Sequence, residues 1–367
     1  MNNKAKIIPL PPVDWGDGVE KEVVLLELTS REGVTGLGSA YTGAHQLREA
    51  LALYQQDPTI LHNANAEMTI PMSAIDIALW DIRGKVQNQP ISELLGGRKR
   101  NRILAYATMN MLMTSAVSGD TFEKKLRAVL DQGYRAIKLS IDNFGHRDFG
   151  HRDRFGHRNS SKSDSEWDLC EANLLKSARA IVGKNVKLML DVYGSNPYWT
   201  PDFDWAVKTA KVLEELDYLW FEEPLTPEAV HDYARLAQSS KIAIAAGEDF
   251  ILLKDFENLS KLKAVNILQP DCTRVGGLTA MQSIRSAASQ YNINLIPHGW
   301  NTAVGLAADL QFQATMAGDK FCMVEVMPHR SITDLLKHNP FALDDEGKIT
   351  LPTGAGLGIA LKENFRP

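Results

Sequence analysis

Six ionisable side chains recur along the chain, each at or just after the end of a short apolar run. Neighbouring members are separated by 23 to 31 residues, about the length of one strand plus one helix. If the apolar runs are parallel strands of one barrel, their carboxyl ends meet at one rim, where acid–base or metal chemistry becomes possible. The six are Asp191, Glu222, Glu248, Asp271, His298 and Glu325.

The first three acids predict a divalent cation site. Three adjacent carboxylates would repel one another and raise one another's pKa, and a bound cation removes that conflict. Oxygen ligands without Cys or His favour Mg²⁺ over Zn²⁺. We therefore predict Mg²⁺ on Asp191, Glu222 and Glu248. We leave Glu223 outside the ligand set, because successive residues of a strand point to opposite faces.

The next two members predict a catalytic pair on adjacent strands. A carboxylate beside an imidazole fixes its tautomer and stabilises the imidazolium form. We therefore expect His298 to act as a base that Asp271 orients.

The elements that must position these residues repeat one theme from residue 102 onward: an apolar run, a polar or glycine-containing break, and a helical pattern. Near-continuous apolar runs are typical of parallel strands buried on both faces. Eight such runs with helical crossovers fit a (β/α) barrel better than an open sheet. The runs are Ile103–Met109, Ala136–Ile141, Val186–Val192, Tyr218–Phe221, Ile242–Ala246, Val265–Leu268, Asn294–Pro297 and Phe321–Val326.

The first hundred residues lack this repeated strand–helix pattern. Val23–Leu28 and Gly33–Gly38 suggest an antiparallel meander, and Met72–Lys85 has apolar residues at helical spacing. We predict a small α+β domain over residues 1–100, a barrel over 101–340, and a C-terminal segment, 341–367, that returns to the first domain.

Several motifs together resemble the mandelate racemase subgroup of the enolase superfamily over nearly the whole chain. The resemblance implies an α/β fold, a (β/α)₇β modified TIM barrel with an α+β capping domain, and one essential Mg²⁺. It implies abstraction of the proton α to a carboxylate, which gives a metal-stabilised enediolate. It also implies that Glu325 shares a proton with the substrate carboxylate opposite the metal. The motifs are Ala74–Ile82, Leu94–Gly97, Phe221–Pro224, Gly247–Glu248, Gln269–Asp271 with Gly276–Gly277, and Pro297–Gly299.

The second barrel strand departs from the subgroup, whose members commonly carry Lys-x-Lys there. This chain has Lys138 and Ser140 at those positions. We expect Lys138 to bind the substrate carboxylate or metal-bound oxygens. Ser140 is no comparable base at neutral pH, so a one-base elimination is favoured over racemisation with two opposed bases.

Tyr193 stands two residues beyond the first predicted ligand, where some sugar-acid dehydratases of this superfamily carry His. The sequence leaves three roles open for Tyr193: an acid, a hydrogen-bond donor, or a packing residue. The leading hypothesis is a Mg²⁺-dependent sugar-acid dehydratase that yields a 2-keto-3-deoxy acid, with the imidazolium of His298 or Tyr193 assisting the leaving hydroxyl. The alternatives are an epimerase or cycloisomerase and a non-catalytic binding protein on the same fold.

Composition limits the partners. With 40 Lys+Arg against 45 Asp+Glu, the net charge of −5 gives no support to nucleic-acid or anionic-membrane binding. Three widely separated cysteines do not suggest a disulfide framework. The chain shows no secretory or membrane-spanning pattern. We expect a cytoplasmic homo-oligomer that binds a small-molecule acid sugar.

Gly-His-Arg occurs three times, at 145–147, 150–152 and 156–158, in a polar stretch after the second barrel strand. Its position predicts that it overhangs the mouth of the site. A flexible solvated loop is the favoured reading, and a lid that binds anionic groups is the alternative.

Overall fold

The N-terminal part of the fold is a small sheet covered by a long helix. The computed structural model describes residues 4–11, 13–14, 20–112, 120–142, 164–195, 202–300, 302–318, 320–328 and 333–363. The antiparallel sheet has the order β1-β4-β5, and β2 pairs separately with β3. The strands are β1 (Lys4–Pro9), β2 (Val13–Asp14), β3 (Glu20–Lys21), β4 (Val24–Thr29) and β5 (Thr35–Ala40).

Four helices follow this sheet, and the third, α3, packs directly on β5. The packing is so close that a Cβ on Gly38 would lie 1.8 Å from the carbonyl oxygen of Ala74. This close approach explains Gly38 and also Gly36, whose Cβ would lie 2.1 Å from the carbonyl oxygen of Ala78. The helices are α1 (Ala44–Gln56), α2 (Ile60–Asn63), α3 (Ala66–Gln87) and α4 (Ile91–Leu94).

The second part is a curled parallel sheet surrounded by helices. Strands β6 to β12 pair in chain order and β13 pairs with β6, so the first and last strands lie side by side. The predicted barrel fold is confirmed, and each predicted apolar run overlaps a strand. The strands are β6 (Arg102–Leu112), β7 (Ala136–Asp142), β8 (Lys187–Asp191), β9 (Trp220–Glu222), β10 (Ala243–Ala246), β11 (Ile267–Leu268), β12 (Asn294–Leu295) and β13 (Met323–Val326).

The barrel helices bury their apolar stripes against the outside of this sheet. Phe122, Leu126 and Val129 of the first barrel helix are all buried, and Leu130 is half-buried against the same core. The helices are α5 (Asp120–Asp131), α6 (Asp164–Val182), α7 (Phe203–Glu215), α8 (Val230–Ser239), α9 (Leu253–Lys261), α10 (Gly277–Gln290) and α11 (Ala303–Gln313). In the described parts of the chain, no helix is both long and apolar enough to cross a membrane.

The C-terminal segment contacts both parts. Its strand β14 (Lys348–Thr350) pairs antiparallel with β6, an addition to the sheet that the sequence did not predict. Farther on, the backbone N–H of Leu357 donates to Asp81 of α3 (2.8 Å), and Gly356 accepts from the N–H of Ile91 (2.9 Å). The division into domains at residues 100 and 340 stays a prediction.

Candidate active site

Strand alternation produces a charged layer above an apolar one inside the barrel. On β9, Trp220 lies in an inner cluster of buried side chains, whereas Phe221 packs outward against Trp205. Glu222, two residues beyond Trp220, therefore points inward again. The same two-residue spacing leads from Met189 to Asp191 and from Met323 to Glu325. The floor of the cavity thus excludes water from beneath the acidic side chains.

The three predicted metal ligands come together at the strand ends. Asp191, Glu222 and Glu248 each offer a carboxylate oxygen, and these atoms lie within 4.8 Å of one another. Burial raises the pKa of Asp191 to about 6 and that of Glu222 to about 7. Carboxylates this close together are hard to ionise unless a positive charge joins them. A hard divalent cation such as Mg²⁺ would supply that charge and prefers oxygen ligands. Their role as ligands stays a prediction.

Lys138 lies between four acids of this layer. Its Nζ is 2.5 Å from Glu222, 3.1 Å from Glu325 and 3.5 Å from Asp191. Burial lowers the pKa of Lys138, but Glu222 and then the other two carboxylates outweigh burial and hold it well above its usual value. The side chain, 1% exposed, is therefore an ammonium ion that neutralises part of the acidic charge. The fourth acid, Glu248, forms no direct ion pair with Lys138 among the described contacts, but it is close enough for the Lys138 charge to oppose the rise in its pKa that burial causes.

Two neighbours orient the carboxylate of Asp191. The Ser140 hydroxyl donates to one oxygen (2.8 Å), and the backbone N–H of Tyr193 donates to the other (3.1 Å). Tyr193 has a left-handed backbone, with φ of 52°. Burial, and then the charges of Asp191 and Glu248, raise the pKa of its phenol well above 10. Tyr193 thus keeps its proton, so it suits hydrogen bonding better than proton donation.

His298 and Asp271 form the predicted pair. The Nδ1 of His298 lies 2.9 Å from one oxygen of Asp271, and the other oxygen accepts from the backbone N–H and hydroxyl of Thr273 (2.7 and 2.6 Å). The Nε2 of His298 is 3.4 Å from Glu248. Burial lowers the pKa of His298, but the Glu248 carboxylate and then the Asp271 hydrogen bond raise it to about 10. The pair therefore lies directly beside the three predicted metal ligands, and Nε2 of His298 faces one of them, Glu248.

Glu325 is held as a carboxylate. It accepts hydrogen bonds from the Thr108 hydroxyl, the backbone N–H of Gly299 (2.8 Å) and the Tyr106 hydroxyl (3.3 Å). Burial raises the pKa of Glu325, but the charges of Lys138 and His298 and then the hydrogen bonds from Thr108 and Gly299 lower it to about 2. Sharing a proton with a substrate carboxylate stays a prediction, and it requires these contacts to change when substrate binds.

Sequence reasoning missed the contribution of β6 to the site. Thr108 and Tyr106 both contact Glu325, and both are buried. The signal was present, because a Thr two residues from a Tyr in an apolar strand shares its inward face.

Glu223 also lies nearer the site than alternation predicts. Its carboxylate belongs to a second acidic trio with Glu248 and Asp249, again within 4.8 Å, and accepts from the Ser195 hydroxyl (2.6 Å). β9 ends at Glu222, and Glu223 has a φ of 46°, so alternation no longer applies to it. Arg274 partly balances this trio through a contact of 3.2 Å with Asp249.

The Gly-His-Arg stretch, 145–158, lies outside the described residues. Its predicted place over the mouth therefore stays a prediction.

Comparison with known protein families identifies both parts of the fold. The family profile described as enolase C-terminal domain-like matches residues 121–365. The profile for the N-terminal domain of mandelate racemase and muconate lactonizing enzyme matches residues 13–96.

Two relatives and one solved structure resemble the chain over most of its length. D-galactarolactone cycloisomerase of Agrobacterium fabrum is 31% identical, with 93% of this chain and 89% of the relative covered. D-galactonate dehydratase of Ralstonia pickettii is 30% identical, with the same coverage of 93% and 89%. The crystal structure of 3,6-anhydro-D-galactonate cycloisomerase from Zobellia galactanivorans superposes with a TM-score of 0.76 at 25% identity, covering 98% and 96%. The chain therefore belongs to the mandelate racemase and muconate lactonizing enzyme family of the enolase superfamily.

Proposed function

We propose that the protein is a Mg²⁺-dependent dehydratase of sugar acids. The observation that carries the proposal is the position of His298, which Asp271 holds at Nδ1 while Nε2 faces the carboxylate of Glu248. A base oriented in this way beside a cation site suits removal of a proton α to a carboxylate. Dehydratases of four sugar acids, gluconate, galactonate, arabinonate and xylonate, are among the relatives of the chain.

Asp191, Glu222 and Glu248 would hold the cation. When bound, Mg²⁺ supplies positive charge where negative charge develops on the substrate carboxylate. Lys138 adds a fixed positive charge to the same layer, since its ammonium contacts Asp191, Glu222 and Glu325. The dry floor beneath strengthens these interactions, because charges act more strongly where water is excluded.

His298 carries the proton through both halves of the reaction. The neutral imidazole takes the α-proton at Nε2; coordination of Glu248 to the cation would offset the carboxylate charge that does most to raise the pKa of His298. Asp271 then stabilises the resulting imidazolium. The β-hydroxyl then leaves as water with that proton, and the enol product tautomerises to a 2-keto-3-deoxy acid. We prefer His298 over Tyr193 as the acid, because burial and neighbouring carboxylates raise the pKa of the Tyr193 phenol.

The test is a screen of mono- and diacid sugars with Mg²⁺ for 2-keto acid formation. A hit should lose one water by mass spectrometry. In deuterated solvent, the His298→Asn protein should neither turn over that substrate nor exchange its α-proton. If the unaltered protein neither forms keto acid nor exchanges α-protons across the library, the proposal is wrong and a binding protein on this fold becomes the better hypothesis.

A cycloisomerase is the second candidate, because the relative that is 31% identical has that activity by name. It would use the same base and the same first step. The two candidates differ in one product property: an isomerase leaves the mass of the acid unchanged, while a dehydratase lowers it by one water. Lactones of diacid sugars therefore belong in the same screen.

A further inference from the structure

Helix α10, which follows the strand that leads to Asp271, begins without a cap from its own segment. Its N-cap residue is Gly276, with φ of 98°, and no side chain of that residue can accept a hydrogen bond. The first turn contains no acidic residue. The N–H groups at the start of a helix lack partners within the helix and need acceptors from elsewhere.

The long helix α3 of the N-terminal part supplies those acceptors. The Ser73 hydroxyl accepts from the N–H of Gly276 (2.8 Å). One oxygen of Asp76 accepts from the N–H of Thr279 (3.0 Å), and the other accepts from its hydroxyl (2.5 Å). Trp80 completes the contact, because its Nε1–H donates to the Thr279 hydroxyl oxygen (2.9 Å). Residues 203 positions away in the chain thus cap α10.

The fit at this contact is tight. A Cβ on Gly277 would lie 2.3 Å from the Asp76 carboxylate oxygen. Asp76 is 4% exposed, and removing its carboxylate would take away the acceptors of both donors of the half-buried Thr279. The carboxylate also sits at the positive end of the α10 dipole, which favours its charge.

A short, fully hydrogen-bonded turn joins this cap to the catalytic pair. The carbonyl oxygen of Asp271 accepts from the N–H groups of Arg274 and Val275 (2.9 and 3.0 Å). The side chain of Asp271 accepts from Thr273 and contacts His298. Because Val275 directly precedes the capped Gly276, a shift at the start of α10 moves the carboxylate that orients the imidazole.

We propose that Asp76 and Ser73 are positioning residues for the reaction. By capping α10 from α3, they fix the turn that carries Asp271 and thereby the direction of the His298 ring. This inference rests on the proposed role of His298 as the base. The N-terminal part would thus position the catalytic pair without contacting the substrate.

The test compares Asp76→Ala with Asp81→Ala. Asp81 lies on the same helix and is equally inaccessible, but its carboxylate accepts from Leu37 and Leu357, on β5 and the C-terminal segment. Both variants should lower Tm. Only Asp76→Ala should lower kcat, by about ten- to a hundredfold with KM changed less than about threefold, because a small misplacement of a catalytic group costs rate. Asp76→Glu should not restore the rate, since the contact has no room for another methylene.

A spectroscopic readout separates this inference from the proposed function. In protein labelled with ¹⁵N-histidine, the Nδ1–H of His298 bonded to Asp271 should give a downfield proton resonance. Asp76→Ala should shift or broaden this resonance, and Asp81→Ala should leave it unchanged. The measurement needs no substrate, so it stands even if no sugar acid is turned over.

Thr279→Val keeps the inference testable if Asp76→Ala fails to fold. It loses the hydroxyl bonds to Asp76 and Trp80 but keeps the backbone bond, so it should shift the same resonance by less and lower kcat by less. The inference is wrong if Asp76→Ala, or Thr279→Val in its place, leaves kcat of the folded protein and the His298 resonance the same as Asp81→Ala does.

Discussion

Single side chains in this cavity differ in pKa because the charges around them differ. Asp191, Glu222 and Glu325 are all buried and all contact Lys138. Burial nevertheless raises the pKa of the first two to about 6 and about 7, while that of Glu325 falls to about 2. Glu325 has His298, Thr108 and the Gly299 N–H in addition to Lys138. Asp191 and Glu222 also have hydrogen-bond donors, but burial and then neighbouring carboxylates raise their pKa, so these two acids still need positive charge.

That uncompensated charge predicts the behaviour of Asp191→Asn. Turnover should be abolished, because a ligand oxygen loses its charge. In the metal-free state, Tm should stay equal or rise, because a buried carboxylate with a raised pKa is removed. Thermal melts in a chelator, with activity assays in Mg²⁺, measure both effects. Asp232→Asn, at an exposed ion pair with Arg235, is the control and should change neither. Substantial turnover by Asp191→Asn would contradict the ligand assignment.

The orientation of the base predicts the effect of Asp271→Asn. The rate should fall by about a factor of 10⁴, the loss known when a histidine base loses its orienting carboxylate. Steady-state kinetics and α-proton exchange in deuterated solvent measure the loss. Tyr193→Phe, which keeps the backbone bond to Asp191, should retain exchange. Loss of exchange in Tyr193→Phe with retention in Asp271→Asn would reverse the two roles.

The second strand predicts the stereochemistry of exchange. Because Ser140 donates to Asp191, its hydroxyl orients that carboxylate, a predicted metal ligand, and is not placed to accept a proton. Exchange should therefore occur for one configuration at the α-carbon only. Ser140→Ala should change the rate less than about tenfold, since Lys138 and the backbone N–H of Tyr193 still hold the Asp191 carboxylate in place. Similar exchange rates for both epimers, followed by proton NMR, would mean that a second base exists.

Whole elements act on the site through their ends. β9 has three residues and ends at Glu222, so the chain turns at once and Glu223 joins a second acidic trio. Helix α11 begins at an N-cap, Thr302, whose hydroxyl accepts from the N–H of Gly305 (3.2 Å) and contacts the Ser39 hydroxyl at the end of β5 (3.0 Å). The first part of the chain thus touches two barrel helices at their starting turns.

The basic stretch after β7 predicts a substrate preference. Arg side chains suit the second carboxylate of a diacid sugar, which they can bind through two parallel hydrogen bonds. Deleting residues 145–158 should therefore raise KM for a diacid more than for the matching monoacid. Kinetics with both acids measure the difference. Equal effects on the two substrates, or none, would support the flexible-loop reading.

The whole molecule should be stabilised by the cation that its site is predicted to bind. A ligand that binds only the folded state adds about 2.7 kcal/mol at a concentration of 100 Kd. Titration with Mg²⁺ should therefore raise Tm of the unaltered protein in a saturable way. Asp191→Asn should show no such rise at the same concentrations. A rise of equal size in that variant would place the stabilising cation elsewhere.

The sequence by itself determined the architecture and placed an ionisable residue at the end of each of six strands. Apolar runs specify buried parallel strands, and their regular spacing specifies one strand–helix unit for each ionisable residue. These are local properties, because a strand or helix follows from the periodicity of its own residues. The family follows from motifs that are equally local, such as Phe221–Pro224 and Pro297–Gly299.

Only the tertiary structure decided which of those residues touch each other. Asp76 lies in Met72–Lys85, a segment whose apolar spacing predicts a helix, and its bond to Thr279 joins residues 203 positions apart. The bond between Thr108 and Glu325 likewise joins residues 217 positions apart. Local periodicity carries no information about such pairs. Contacts of this kind depend on how close two backbones approach and which donors are left without partners, and both arise only when the chain is packed.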